Sequence, residues 1–393
     1  AETLLAAGRY GDARLVAKDL REFLTKPQAN RVNEPGDWAG NVAWIYVQSF
    51  APQKAIARQQ APAQQSLQND YQQGFIPQLN GPGAQGESGS PGNMGTPHET
   101  YANAVPFPNL GGSTAYNAID YLRELRAFLT DYPAHRNAPE AAEAVARTQD
   151  NGVGDQKDSK DSEAIAAWTD FIEAKNYTFD PNAEANRTPD KATGQTPAEI
   201  LLRRQQTATF RIGQIHYEAR RYAEAIAQWQ KYIAAHPNGK EWQQAQSGIV
   251  DAEFQSGLTA VAAGDEKKAR ELFDDFLARY PLDARARQIL FIYGQFHYAA
   301  GLALKGQPTD KTQPHFQDAI TEWSRLIGKY PNTEESSLAL YNTALILSDE
   351  LGRLEDGLAA FKRVTWGQWA GPAKQRVRRM SRKSLPVASE RAF

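Results

Sequence analysis

Ala319-Ile320-Thr321-Glu322-Trp323-Ser324-Arg325-Leu326-Ile327-Gly328-Lys329-Tyr330-Pro331 is the stretch on which the fold turns. A small residue, Ala319, is followed four positions later by Trp323 and three later by the pair Leu326-Ile327. Spacings of four, three and one keep these side chains on one stripe of a helix. Pro331 then ends it, because proline has no N–H to donate and disfavours helical geometry in the residue before it.

The same spacing recurs as Ala164, Trp168, Phe171-Ile172, as Ala225, Trp229, Tyr232-Ile233, and as Ala269, Phe273, Phe276-Leu277. Gly357, Phe361, Val364 is a weaker copy, and Tyr121, Leu125, Phe128-Leu129 one with a large first residue. Val16, Leu20, Phe23-Leu24 is the faintest. The stop recurs too, at Tyr132-Pro133, His236-Pro237 and Tyr280-Pro281. Ahead of the stripes, 208–219, 249–262 and 338–350 are apolar-periodic and lead into Arg220-Arg221-Tyr222, Ala263-Gly264-Asp265 and Leu351-Gly352-Arg353. A left-handed residue at each break closes one helix before the next opens.

The unit is therefore an antiparallel helix pair. From Tyr121 the stripes begin 43, 61, 44, 50 and 38 residues apart, a period with insertions that predicts a helical repeat array over a generic bundle. Ala225, Ala269 and Ala319 are expected where paired helices approach closely, with Trp229, Phe273 and Trp323 as the complementary knobs.

This pattern resembles the tetratricopeptide repeat. Phe276-Leu277-Ala278-Arg279-Tyr280-Pro281 and Leu326-Ile327-Gly328-Lys329-Tyr330-Pro331 look most like its bacterial envelope branch, which includes outer-membrane-assembly lipoproteins. The resemblance is best over 200–366, weaker over 114–175 and faintest over 1–27. The spacings exceed the usual period of about 34 residues. It implies an all-α, right-handed α-solenoid of such helix pairs with long Gly/Pro-rich insertions, in the periplasm or cell envelope, the cytoplasm being the other compartment considered. The tail Lys383-Ser384-Leu385-Pro386-Val387-Ala388-Ser389-Glu390-Arg391-Ala392-Phe393 carries a second resemblance, to the opening strand of macroglobulin domains in bacterial alpha-2-macroglobulin-like proteins. On that reading the chain is the N-terminal helical region of a protease trap, with further domains downstream.

Four regions follow: a helical segment at 1–76 with possible degenerate repeats, a linker at 77–113, the repeat array at 114–381, and an extended tail at 382–393. Residues 77–112 hold eight glycines and six prolines, a composition that favours neither helix nor core. The ends at Ala1 and Phe393 read as those of a piece of a longer protein.

Charge and cysteine usage exclude several functions. Lys and Arg number 44 against 46 Asp and Glu, which is not the balance of a histone-like nucleic-acid binder. Without cysteine there is no disulfide framework, no Cys-ligated metal and no thiol nucleophile within these 393 residues. No apolar run reaches the roughly 18 residues of a membrane span.

Motifs for chemistry are equally scarce. Gly81-Pro82-Gly83-Ala84-Gln85-Gly86 has dinucleotide-binding spacing but no strand before it or helix after it. His98, His135, His216, His236, His297 and His315 are too scattered for a metal pair, and His236 takes the place of the stop tyrosine. The oxygen-rich stretch 150–161 lacks calcium-loop order and reads as a solvated loop. Lys374, Arg376, Arg378, Arg379, Arg382 and Lys383 form a basic run, able to meet phosphates or anionic lipid or simply to solvate a capping helix. No interleaved aromatics are present to stack on bases, which argues against nucleic acid. No catalytic, cofactor or metal site is expected.

Function then rests on the concave surface that first helices line in such arrays. The expected groove comprises Phe210, Gln214, Tyr217, Asp251, Phe254, Leu258, Gln295 and Asn342, with Thr207 and Ile292 beside them. The mixture of apolar and polar groups predicts a non-enzymatic scaffold for a peptide or partner domain. Lys and Asn are not paired on neighbouring first helices, so the carboxylate clamp of chaperone-binding relatives is not expected.

Overall fold

The computed structural model describes residues 2–6, 8–25, 38–52, 117–152, 160–191 and 193–383. The linker at 77–113, Gly81 to Gly86, His98 and residues 384–393 lie outside them. The described residues are helical, with no strand among them. Contacts divide the chain into two compact units, Ala1–Ile249 and Val250–Phe393.

The first unit contains α1 (Glu2–Ala6), α2 (Tyr10–Thr25), α3 (Trp38–Gln48), α4 (Ala118–Asp131), α5 (Ala138–Asn151), α6 (Lys160–Ile172), α7 (Glu184–Arg187), α8 (Pro197–Glu218) and α9 (Tyr222–Ala235). The division point falls within α10 (Trp242–Ala262). The second unit continues with α11 (Glu266–Arg279), α12 (Ala286–Ala303), α13 (Thr309–Lys329), α14 (Glu334–Leu345), a π-helical turn at Ile346–Glu350, α15 (Leu354–Arg363) and α16 (Ala370–Lys383). In both, packing is chiefly between helices near one another in sequence, notably α5 on α6, α8 on α9, α12 on α13 and α14 on α15. The all-α fold of successive helix pairs is the one expected.

The stripes are the cores. Ala225, Ala269 and Ala319 have no exposed surface, and Trp229, Phe273 and Trp323 are buried against them. Leu125, Phe128, Trp168 and Phe171 fill the core of the first unit. The four stops share one backbone solution. Tyr132, His236, Tyr280 and Tyr330 each cap a helix at φ of −134°, −131°, −127° and −129°, and each donates its N–H to the carbonyl four residues back. At the breaks, Arg220, Gly264 and Gly352 have φ of 59°, 73° and 66°, the left-handed conformation that ends one helix before the next.

Three expectations are corrected. In α2 it is Ala13 and Ala17 that are buried, whereas Val16 and Leu20, on the faintest stripe, are exposed. Ala13 and Ala17 stand three residues before Val16 and Leu20, respectively, and small side chains permit the closer helix approach. Asp150 belongs to the last turn of α5 and is largely buried, not part of a solvated loop. Helix α16 continues through Lys383, where an extended tail is expected to have begun.

Candidate partner-binding surfaces

Three of the stripe aromatics each face a glycine on the preceding first helix. A Cβ placed on Gly213, Gly257 or Gly294 would run into the ring of Trp229, Phe273 or Trp323. Three residues before each glycine stands a phenylalanine. Phe210 stacks on Trp229 at 6.0 Å between centroids, Phe254 meets Phe273 at 5.9 Å, and Phe291 stacks on Trp323 at 5.8 Å. Four residues after two of the glycines, Tyr217 and Tyr298 lie on the far side of the same indoles, each at 5.8 Å. The indole N–H of Trp229 donates to the Phe210 carbonyl at 3.2 Å, and that of Trp323 to the Phe291 carbonyl at 3.0 Å.

This arrangement sorts the expected groove. Phe210 and Phe254 are buried within their own units and are 6% and 4% exposed, so their rings serve packing. Tyr217 is half-buried against Trp229 and Tyr222. Gln214, Leu258 and Gln295 each directly follow a glycine of the recurrent Phe-x-x-Gly and remain half-exposed, as does Asn342 on α14. Asp251 is ion-paired with Arg285. Of the two flanking residues, Ile292 is buried and Thr207 is exposed, donating its hydroxyl to Glu241 at 2.9 Å. The Phe-x-x-Gly recurrence was present in the sequence as the signal that separates inward from outward positions.

Ion pairs link successive first helices inside each unit. In the first, Glu143 and Asp150 on α5, seven residues apart, accept from Arg204 and Arg211 on α8, also seven apart, at 3.0 and 2.8 Å. Asp150 also accepts the indole N–H of Trp168 at 3.0 Å. Burial opposes the charge on Arg211, but its bonds to Asp150 and Glu218 outweigh that and hold the guanidinium protonated well above its ordinary value. In the second, Asp251 pairs with Arg285, and Arg287 on α12 pairs with Glu335 on α14 at 3.1 Å. A bond from Arg285 holds Asp283 below the usual carboxylate range, against an opposing effect of burial.

The first unit also contains a pocket of about 800 Å³ lined by α4, α5, α6 and the turn after α6. Leu129, Val145, Ala167 and Phe171 give it apolar walls, and Arg126, Glu163, Asp170 and Lys175 are its charged lining. The Lys175 ammonium bridges Glu173 at 2.9 Å and Asp170 at 3.2 Å. None of the expected groove residues lines this pocket; the spacing of a single stripe does not reveal a hollow made by three helices. Among the described residues no cluster of His, Asp and Glu has the makings of a metal site, and no helix is long and apolar enough to cross a membrane.

Residues 203–380 match the family model described as YfiO, outer membrane lipoprotein. That family is one of tetratricopeptide-type repeats. The match covers α9 to α15, together with most of α8 and α16, and does not reach residues 384–393, on which the macroglobulin resemblance rests. No curated protein matches the chain. Among solved structures, the crystal structure of BtubC (BKLC) from P. vanneervenii is similar at 13% identity, over 70% of this chain and 94% of that one, with a TM-score of 0.24.

Proposed function

We propose that this chain is a non-enzymatic protein–protein interaction scaffold of the bacterial cell envelope. The observation that carries the reading is the match of 203–380 to outer membrane lipoproteins of tetratricopeptide type. The side-chain pattern supports it, because aromatic and glycine positions of the first helices face inward and leave a recurrent outward row. In this reading Gln214 and Tyr217 of the first unit, and Asp251, Leu258, Gln295 and Asn342 of the second, contact a peptide or partner domain, with Phe210 and Phe254 packed behind them in their own units. The partner is a protein and not a nucleic acid.

The test is capture of partners from envelope extracts by the intact chain and by a Leu258→Arg/Gln295→Arg variant. Both positions are half-exposed in the same unit, so the variant is expected to keep its thermal midpoint while losing the captured protein. A variant that retains the partner with undiminished affinity rejects this row as the contact surface.

A further inference from the structure

Charge is distributed unevenly along the chain. From Gly357 to Lys383 there are eight Lys and Arg and no Asp or Glu, whereas the rest of the sequence has 36 Lys and Arg against 46 Asp and Glu. A segment of net +8 is thus joined to a remainder of net −10, an asymmetry that turns a molecule in the field of a charged surface.

Helix α16 carries most of that charge. Ala373 is buried, and Val377 and Met380 pack with Phe361 and Val364 in the core of the second unit. Arg376 reaches back to Asp349 at 2.9 Å and ties the helix to the π-helical turn. Lys374, Arg378 and Arg379 face solvent, and among the described residues none of the three has an ion-pair partner. Lys362 and Arg363, in the last turn of α15, are exposed as well. Lys374 and Arg378 stand four residues apart, a like-charge spacing that opposes helix formation. The helix therefore keeps its cationic face at some expense of its own stability.

We infer that the exposed face of α16 docks on an anionic phospholipid surface through Lys374, Arg378 and Arg379. The inference rests on the envelope location proposed above. Arginine guanidinium groups match phosphate oxygens in a forked geometry, and clustered cations bind anionic headgroups by charge density alone. The apolar side chains of α16 are engaged in the core, so the contact is peripheral and inserts no wedge into the acyl layer. No exposed aromatic interleaves with the basic residues of α16 to stack on bases, which separates this face from a single-strand nucleic-acid platform.

The experiment is co-sedimentation of the full chain with vesicles of phosphatidylcholine alone or mixed with phosphatidylglycerol. Binding is expected only to the anionic vesicles and is expected to weaken steeply as sodium chloride is raised. Lys374→Gln/Arg378→Gln/Arg379→Gln is expected to reduce partitioning about 100-fold, with the melting curve retained. The same change at the exposed Lys231, Lys267 and Lys268 is expected to leave it intact. Equal binding to neutral vesicles, salt-independent binding, or unchanged binding by the α16 variant overturns the inference. So does stronger binding to polyglutamate or single-stranded DNA than to anionic vesicles at equal charge concentration. Cell fractionation separates the two readings: a chain found in the cytoplasm removes the envelope location, whereas an envelope chain that fails on vesicles removes only the lipid contact.

Discussion

Trp168 and Trp323 occupy the same place in the stripe, four residues after a buried alanine, yet the two indoles are received differently, and Trp229 of the first unit is received as Trp323 is. In the second unit Trp323 lies over Gly294, stacks on Phe291 and donates to a backbone carbonyl. In the first, Trp168 donates to the Asp150 carboxylate, which also accepts from Nε and Nη2 of Arg211. A stripe thus specifies that an indole will be buried between paired helices without specifying what receives it. One indole rests on backbone and ring, the other on a charge network. The first arrangement is indifferent to neighbouring charges, and the second depends on them.

The largest effect that tests this contrast is Trp323→Ala. The side chain has no exposed surface, and its loss is expected to destabilise the second unit by about 3–5 kcal/mol in chemical denaturation. A shift below about 1 kcal/mol would remove Trp323 from its role as the knob of that core. Gly294→Ala comes next. The added methyl meets a rigid indole instead of the end of a flexible chain, so a destabilisation of about 1–3 kcal/mol is expected. The usual gain of about 1 kcal/mol from replacing a helical glycine by alanine would be the opposite sign and would refute the close approach.

Asp150→Ala probes the other arrangement. It leaves the indole N–H of Trp168 and two N–H groups of Arg211 without their acceptor, at an expected cost of about 2 kcal/mol. Arg211 retains Glu218, which limits the loss. If the Asp150 arrangement is electrostatic, Asp150→Asn should recover only part of the stability. Full recovery would make the two indole sites equivalent hydrogen-bond sites, and the contrast between them would dissolve.

The stripes, stops and breaks were legible because each depends on local geometry. A spacing of four and three makes one helical face, a proline ends it, and a left-handed residue reverses the chain. What receives the stripe was less legible. Gly213 and Gly257 precede their aromatics by sixteen residues, but Gly294 precedes Trp323 by 29, because more of α12 follows its glycine and more of α13 precedes its indole, with a second contact of Gly301 with Phe316 between them. An interior glycine also reads as a weak point in a helix, when here it is a hole cut for a ring. That is why Phe210 and Phe254 seemed to face a groove. Position in a helix was readable; the direction of a side chain depended on where the partner helix lay. The half-exposed row at Gln214, Leu258 and Gln295 follows once the glycines have fixed the inward face.

The smallest expected effect is a dependence on pH confined to the first unit. His216 lies one residue beyond the buried Ile215 on α8, and its Nδ1 accepts from Nε of Arg221 at 3.2 Å. Burial first, and the neighbouring Arg221 charge second, hold the imidazole below its ordinary value of 6.5. The folded state therefore favours the neutral ring. Its contribution to stability is complete above pH 6.5 and is lost as pH falls through the lower folded value. Protonation would also turn the acceptor at Nδ1 into a donor facing the Arg221 guanidinium, so the lost bond and the repulsion act together. Hydrogen exchange of the α8 and α9 amides should accelerate more than that of α12 and α13 as the solution is acidified below that point. In His216→Gln, whose side-chain oxygen can accept from Arg221 at any pH, the additional acceleration should disappear. Equal acceleration in the parent and the variant would remove His216 from the acid sensitivity of the first unit.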